Sequence, residues 1–226
     1  MKLQRGWVGP GLPKVRDVGG TYGRWATDQL PGLAPASRDP TLRWLVPLAP
    51  NLADAAMKDE RSLVTDHREA IASEAQRLNL TLPPSFVTLV SSEALQQSVP
   101  SPTACYFDLP ERIAEVPFEP GSFVIRFLND QQWCCVWSLL LRPDGTCAVV
   151  CSDQPIDRAE RDQEEDEDAG EAESTSDSEV VLCADSFEEF LYRFWFENVL
   201  WFALIGQEPA LTAEQAAYVA FYQASR

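Results

Sequence analysis

The side chains able to do chemistry in this chain are one histidine, six cysteines and a large excess of carboxylates. A hydrolase of the Ser-His-Asp or Cys-His kind needs an imidazole to carry its proton, and His67 is the sole candidate. It falls inside a helical pattern between Asp66 and Arg68, and neither a GxSxG nor a papain-type cysteine context accompanies it. His67 is therefore read as a structural or surface residue. The cysteines stand at 105, 134, 135, 147, 151 and 183 without a CxxC pair, which removes the strongest zinc signature. Cys147 and Cys151, placed on one strand, would lie roughly 13 Å apart, too far to bridge each other or share a metal. All six read as reduced, mostly buried thiols, with the cytoplasm as the implied compartment. Gly19-Gly20-Thr21-Tyr22-Gly23 has the look of a phosphate cradle, but it follows no hydrophobic strand and no lysine occupies the Walker position, so it reads as turn chemistry.

The carboxylates are unevenly placed. Residues 157–179 hold 12 acidic and 2 basic side chains, more than half of the formal net charge of −17, whereas residues 1–44 have 7 basic against 3 acidic. Such a run cannot bury enough apolar surface to fold and reads as a mobile, solvated loop. It holds no fixed pair of carboxylates for acid–base work, and it lacks the DxDxDG spacing of a calcium loop. What it can do is raise the encounter rate with a basic partner, and Glu164, Glu165, Asp166, Glu167 and Asp168 are the candidate partner-binding residues. The same charge argues against a grip on nucleic acid or anionic lipid. No catalytic residue, metal site or cofactor is expected.

These groups need a scaffold. At 226 residues with 45% hydrophobic side chains, the chain has enough apolar surface for one domain with an arm. Residues 1–40 contain seven of the eleven glycines and five prolines, which predicts an irregular arm lying on the domain through Trp7, Tyr22, Trp25 and Trp44. The organisation expected is a Gly/Pro-rich arm and lead-in over 1–61 and a single domain over 62–226. Leu63, Ala70, Ile71, Ala75 and Leu78 predict an amphipathic helix over 62–80, and Pro84 opens a short second helix ending near Ser91. Strands are predicted over 103–108, 122–128, 133–141, 146–151 and 180–183, with Arg142-Pro143-Asp144-Gly145 as a hairpin turn. Trp133, Trp137, Trp195 and Trp201 fall in elements read as core. Ser186-x-x-Glu189 and Thr212-x-x-Gln215 are capping boxes for two last helices. The first of these, 187–205, carries Glu188, Glu189, Arg193 and Glu197 and so is read as a buried helix rather than a membrane span. The N-terminus lacks the apolar stretch of a signal peptide, so export is not expected. The class is α+β: a mainly antiparallel sheet flanked by helices, with an irregular arm and an acidic loop.

Three pieces of this pattern resemble the SUKH superfamily, which includes fungal cell-wall regulators and many bacterial immunity proteins. They are Leu78-Asn79-Leu80-Thr81-Leu82-Pro83-Pro84-Ser85-Phe86, the strand block from Gly121 through Trp133 and the hairpin to Cys151-Ser152-Asp153, and the terminal helix opening Ser186-Phe187-Glu188-Glu189-Phe190-Leu191. The resemblance spans about 62–205. It departs at Ser91-Ser92-Glu93-Ala94, where members usually carry an Asn-Gly or Gly-Gly turn, so a partner contact made by that loop does not transfer. The resemblance implies a compact binding scaffold without catalytic residues, and for bacterial members the neutralisation of nuclease or deaminase toxins. The expectation is a cytoplasmic, non-enzymatic immunity protein that occludes a basic toxin. The alternative is a regulatory scaffold for an endogenous partner, with the arm as a displaceable lid.

Overall fold

Three apolar, β-rich stretches form the centre of the computed structural model, which describes residues 3–57, 63–158, 179–206 and 210–224. Phe123–Asn129 (β6), Val136–Leu141 (β7) and Cys147–Ser152 (β8) are buried at almost every position, on both parities, because both faces of the sheet are covered. Around them stand Gln4–Arg5 (β1), Tyr106–Phe107 (β4), Ala114–Glu115 (β5) and Val181–Ala184 (β9). The order is β1-β9-β8-β7-β6-β4, with β5 also on β6, in a seven-stranded sheet that is antiparallel except for the β1–β9 pair. The β7–β8 hairpin closes on the predicted turn: Arg142 N–H donates to Thr146 O at 3.0 Å, and Gly145 takes the positive φ of 81° that other residues resist.

One face of the sheet carries the helices. Leu63–Arg77 (α1) and Pro84–Val90 (α2) occupy the predicted stretches, followed by Glu93–Gln96 (α3), whose cap is Ser92 accepting from Leu95 N–H at 3.3 Å. The sequence reading has a loop, not a helix, at Ser91-Ser92-Glu93-Ala94. Phe187–Leu204 (α4) starts at Ser186, which accepts from Glu189 N–H at 3.2 Å, and lays Phe187, Phe190 and Phe194 against Phe127 and Trp137. Its opposite flank, Tyr192, Phe196 and Leu200, packs on Tyr218, Val219 and Tyr222 of Ala213–Ala224 (α5). Here the Thr212–Gln215 box is reciprocal, with bonds of 2.9 and 3.2 Å. The other sheet face buries Val124, Leu140, Ala148 and Val150 beneath Val116, Phe118 and Ile156. No helix among the described residues is long and apolar enough to cross a membrane.

Two further features differ from the sequence reading. Strand β7 begins at Val136 rather than residue 133, because Asp130 folds 130–135 into a turn in which Trp133 has a φ of 61°. Trp137 is fully buried, while Trp133, Trp195 and Trp201 are half-buried. The arm does lie on the domain through its aromatics, but it also holds regular structure: β1 extends the sheet, and Trp7–Pro10 (β2) pairs antiparallel with Tyr22–Trp25 (β3). Gly9 and Gly23 face each other in that ribbon. A Cβ on Gly23 would stand 2.5 Å from Val18 Cγ1 and 2.6 Å from the Trp25 ring, so the ribbon closes only over glycine.

Candidate protein-binding site

Among the described residues, Glu197, His67 and most of the thiols are engaged in internal contacts. Glu197, wholly buried on α4, accepts from Trp7 Nε1 at 2.8 Å, from both terminal nitrogens of Arg16 at 2.8 and 2.6 Å, and from Tyr218 Oη at 2.6 Å. Burial works against the Arg16 charge, but the Glu197 carboxylate outweighs it and holds the Arg16 pKa above its ordinary value. Burial, reinforced by Glu197, likewise raises Tyr218. The four donors fill this carboxylate and bind the arm to both C-terminal helices; no reacting atom has access to it. His67 Nδ1 lies 2.7 Å from the Leu109 carbonyl oxygen, a backbone contact between α1 and the loop after β4. Gly19 and Gly20 form exposed bends, while Tyr22 and Gly23 belong to β3.

All six cysteines are free: Cys105, Cys135 and Cys151 buried, Cys147 and Cys183 half-buried, and Cys134 exposed. The Cys134 thiol donates to Asp130 Oδ2 at 2.9 Å, and desolvation together with that carboxylate pushes its pKa up to about 12. Asp130 also accepts from Tyr22 Oη at 2.7 Å and from Gln132 N–H at 3.0 Å. Burial raises Cys151 well above its ordinary value, helped by hydrogen bonding with Cys135 and Cys183. Thiols held protonated in this way are poor nucleophiles. Among the described residues no group of three or more His, Cys, Asp or Glu side chains is arranged to hold a metal ion.

These sulfurs instead line a groove of about 250 Å³ between the β2–β3 ribbon and the main sheet. Val8, Tyr22 and Arg24 form one wall, Cys134, Cys135 and Cys151 the other, and the exposed carboxylates of Asp153 and Glu179 stand at its rim. Arg24 pairs with Glu179 at 2.5 Å and donates to Gln4 Oε1 at 2.9 Å. The candidate residues Glu164, Glu165, Asp166, Glu167 and Asp168 lie outside the described residues, as does the reading of their stretch as a mobile loop. The flanks of that stretch are placed. On one side Asp157, in a 3-10 turn Ile156–Arg158, accepts from Arg126 Nε at 3.1 Å. Arg126 is buried and also bonds Asp108, which accepts from Asn129 Nδ2 at 3.0 Å. On the other side stands Glu179 at the groove rim. Ile156 and Val180 pack on the same apolar cluster of the sheet face away from the helices.

Sequence reasoning missed Arg24 and Asp153, single charges with no motif around them, and included Glu179 only as the end of the acidic run. The chain matches no protein-family profile, no curated protein and no solved structure.

Proposed function

We propose that this chain is a non-enzymatic, SUKH-type protein-binding domain that occludes a basic partner, in its most concrete form an immunity protein covering a nuclease or deaminase toxin in the cytoplasm. One observation carries the reading: the stretch holding most of the net charge is tethered at both ends to the folded sheet, with Glu179 and Asp153 at the rim of a groove. Charge tethered there concentrates a cationic protein beside a rigid surface, and steering of this kind raises association rates by roughly 10 to 10³-fold at low salt. The filled coordination of Glu197 and the protonated thiols support a binding role over a catalytic one. A displaceable arm has less support, because lifting it would expose Trp7 and leave Glu197 buried without its cation.

The test is binding of the full chain to a panel of basic nuclease and deaminase toxin domains, with association rates measured across ionic strength. A second chain has the acidic side chains of 160–178 replaced by Asn and Gln. The reading expects a partner whose association slows steeply with salt, and whose salt dependence flattens in the second chain. Absence of any partner in the panel counts against the toxin assignment, and salt-invariant association removes the steering role of the charge.

A further inference from the structure

Strand β1 lies at one end of the sheet and is two residues long, both of them exposed. It runs parallel to β9, with Gln4 beside Val181 and Arg5 beside Leu182, and the Gly6 N–H donates to Leu182 O at 3.1 Å. Side-chain contacts accompany this backbone pairing. Leu3 packs, half-buried, on the apolar cluster that holds Val180 and Leu182. Arg5 forks onto Asp185, Nη1 to Oδ2 at 2.8 Å and Nη2 to Oδ1 at 2.7 Å, with the two side chains 57% and 61% exposed. A parallel pairing of two residues closed by an ion pair this open to water is weakly held. The rest of the arm is fastened independently, by Trp7 and Arg16 on Glu197 and by Tyr22 on Asp130, so residues 3–5 can leave with those bonds intact. Gly6, the single residue between β1 and β2, has the backbone freedom to act as the hinge. Without β1, β9 keeps β8 on one side and, among the described residues, presents an open strand edge on the other.

We propose that the β9 edge is a docking site for an extended segment of a partner protein with the pattern apolar-x-arginine, and that residues 3–5 are its built-in occupant, displaced when the partner binds. The occupant states the chemistry of the site. It pairs its backbone with Val181 and Leu182, sets an apolar side chain on the Leu182 cluster and gives a guanidinium to both oxygens of Asp185. Lysine lacks the planar fork that this carboxylate receives. A second copy of the chain is a poorer occupant, because Gly6 alone joins its β1 to the buried Trp7, and one residue does not reach between two molecules. Strand β9 lies between Glu179 and Asp185, so the edge adjoins the groove rim. The site rests on the reading of the chain as a binder of basic proteins, which supply the arginine, and it gives that reading a selective contact. Net charge draws any cationic protein near, whereas strand addition with one arginine in register selects among them.

The probe is the peptide N-acetyl-Leu-Gln-Arg-amide, titrated into isotope-labelled full chains and followed by amide chemical shifts. Arg5→Glu sets a like charge against Asp185 and vacates the edge; it alters one exposed side chain, and unchanged shifts in α4 and α5 verify the fold. The expected result is saturable shifts at Val181, Leu182 and Asp185 with a Kd of about 1 mM, the range for a ligand of this size. The native chain binds about tenfold more weakly, because its own segment competes for the edge. N-acetyl-Leu-Gln-Gln-amide, without the guanidinium, binds the Arg5→Glu chain about tenfold more weakly than the arginine peptide. Asp185→Arg reverses the preference, taking N-acetyl-Leu-Gln-Glu-amide over the arginine peptide, a result that a merely structural ion pair does not give. Equal binding of the arginine and glutamine peptides, equal binding to the native and Arg5→Glu chains, or no shift along β9 overturns the proposal. Each of these leaves standing the reading of the chain as a binder of basic proteins, which fails separately, in the toxin panel.

Discussion

Replacing Arg16 by methionine tests whether the arm belongs to the folded unit. In the native protein the Arg16 and Glu197 side chains are 4% and 0% exposed and 2.6 Å apart. Methionine fills much of the aliphatic volume but leaves the Glu197 carboxylate buried with only Trp7 Nε1 and Tyr218 Oη as donors. Breaking a buried pair from one side costs about 3–5 kcal/mol, since an uncompensated charge stays in a poor solvent. For a domain of this size about 4 kcal/mol lowers the thermal midpoint by roughly 8–16 °C. The second variant is Arg16→Met with Glu197→Gln, which removes both charges; its one amide oxygen accepts from Trp7 Nε1, and its amide nitrogen faces Tyr218 Oη, which can accept from it. It loses about 1–2 kcal/mol, so the second change recovers about 2–3 kcal/mol of what the first one costs. Urea unfolding followed by tryptophan fluorescence measures both, with an unchanged slope as the check on two-state behaviour. A loss below about 1 kcal/mol in the single variant, or a double variant as unstable as the single, would refute the argument: Glu197 would then be solvated, and the arm would peel away at little cost.

Two further perturbations test the local chemistry. Cys134 is exposed, yet a pKa near 12 against an ordinary 9.0 leaves about 10³-fold less thiolate at pH 8. Allowing for the greater nucleophilicity of a more basic thiolate, iodoacetamide alkylation runs roughly 50-fold slower than at an ordinary surface thiol. Asp130→Asn speeds it, whereas Tyr22→Phe, which keeps the carboxylate, does not; mass-spectrometric alkylation rates decide, and native alkylation at the free-thiol rate refutes the assignment. Glu119 is held below its ordinary 4.5 by the Arg142 hydrogen bond at 2.6 Å, with burial opposing. A depressed folded pKa means stability present above the unfolded value and lost as the pH falls through the folded one. Arg142→Gln therefore loses stability at pH 7 and shows a shallower decline below pH 4.5. Equal decline in both proteins in acid unfolding sinks this prediction.

The parts of the fold legible in sequence are those where one local signal suffices. The Pro143–Gly145 turn and the Ser186 and Thr212 caps each state their structure within a few residues and are found where the pattern places them, and the doubly apolar stretch read over 133–141 is a central strand from Val136 onward. The rest depends on partners that the local pattern does not name, most of them remote in sequence. Gln4–Arg5 is a strand only because Val181 and Leu182 present an open edge to it. Trp7 belongs to the core only because Glu197, 190 residues away, supplies an acceptor for its indole N–H. Trp133 has the composition of a strand residue, but Asp130 collects three donors and turns the chain before β7 can begin.

The candidate site divides along the same line. The acidic run announces itself in composition, and composition is all that long-range attraction needs, since charge acts over roughly 8–10 Å of electrolyte without regard to side-chain geometry. Selection between partners needs short-range complementarity, and the residues able to supply it here carry no motif. Asp153 lies just past β8 and Arg24 on an arm strand. Their meaning comes from what the fold sets opposite them: Arg24 pairs with Glu179 at the rim of the thiol-lined groove. Glu197 makes the contrast sharp, because it is a carboxylate like the others but with every lone pair directed at an internal donor. In a chain of net charge −17 the carboxylates that matter for recognition are those whose neighbours leave an oxygen facing outward.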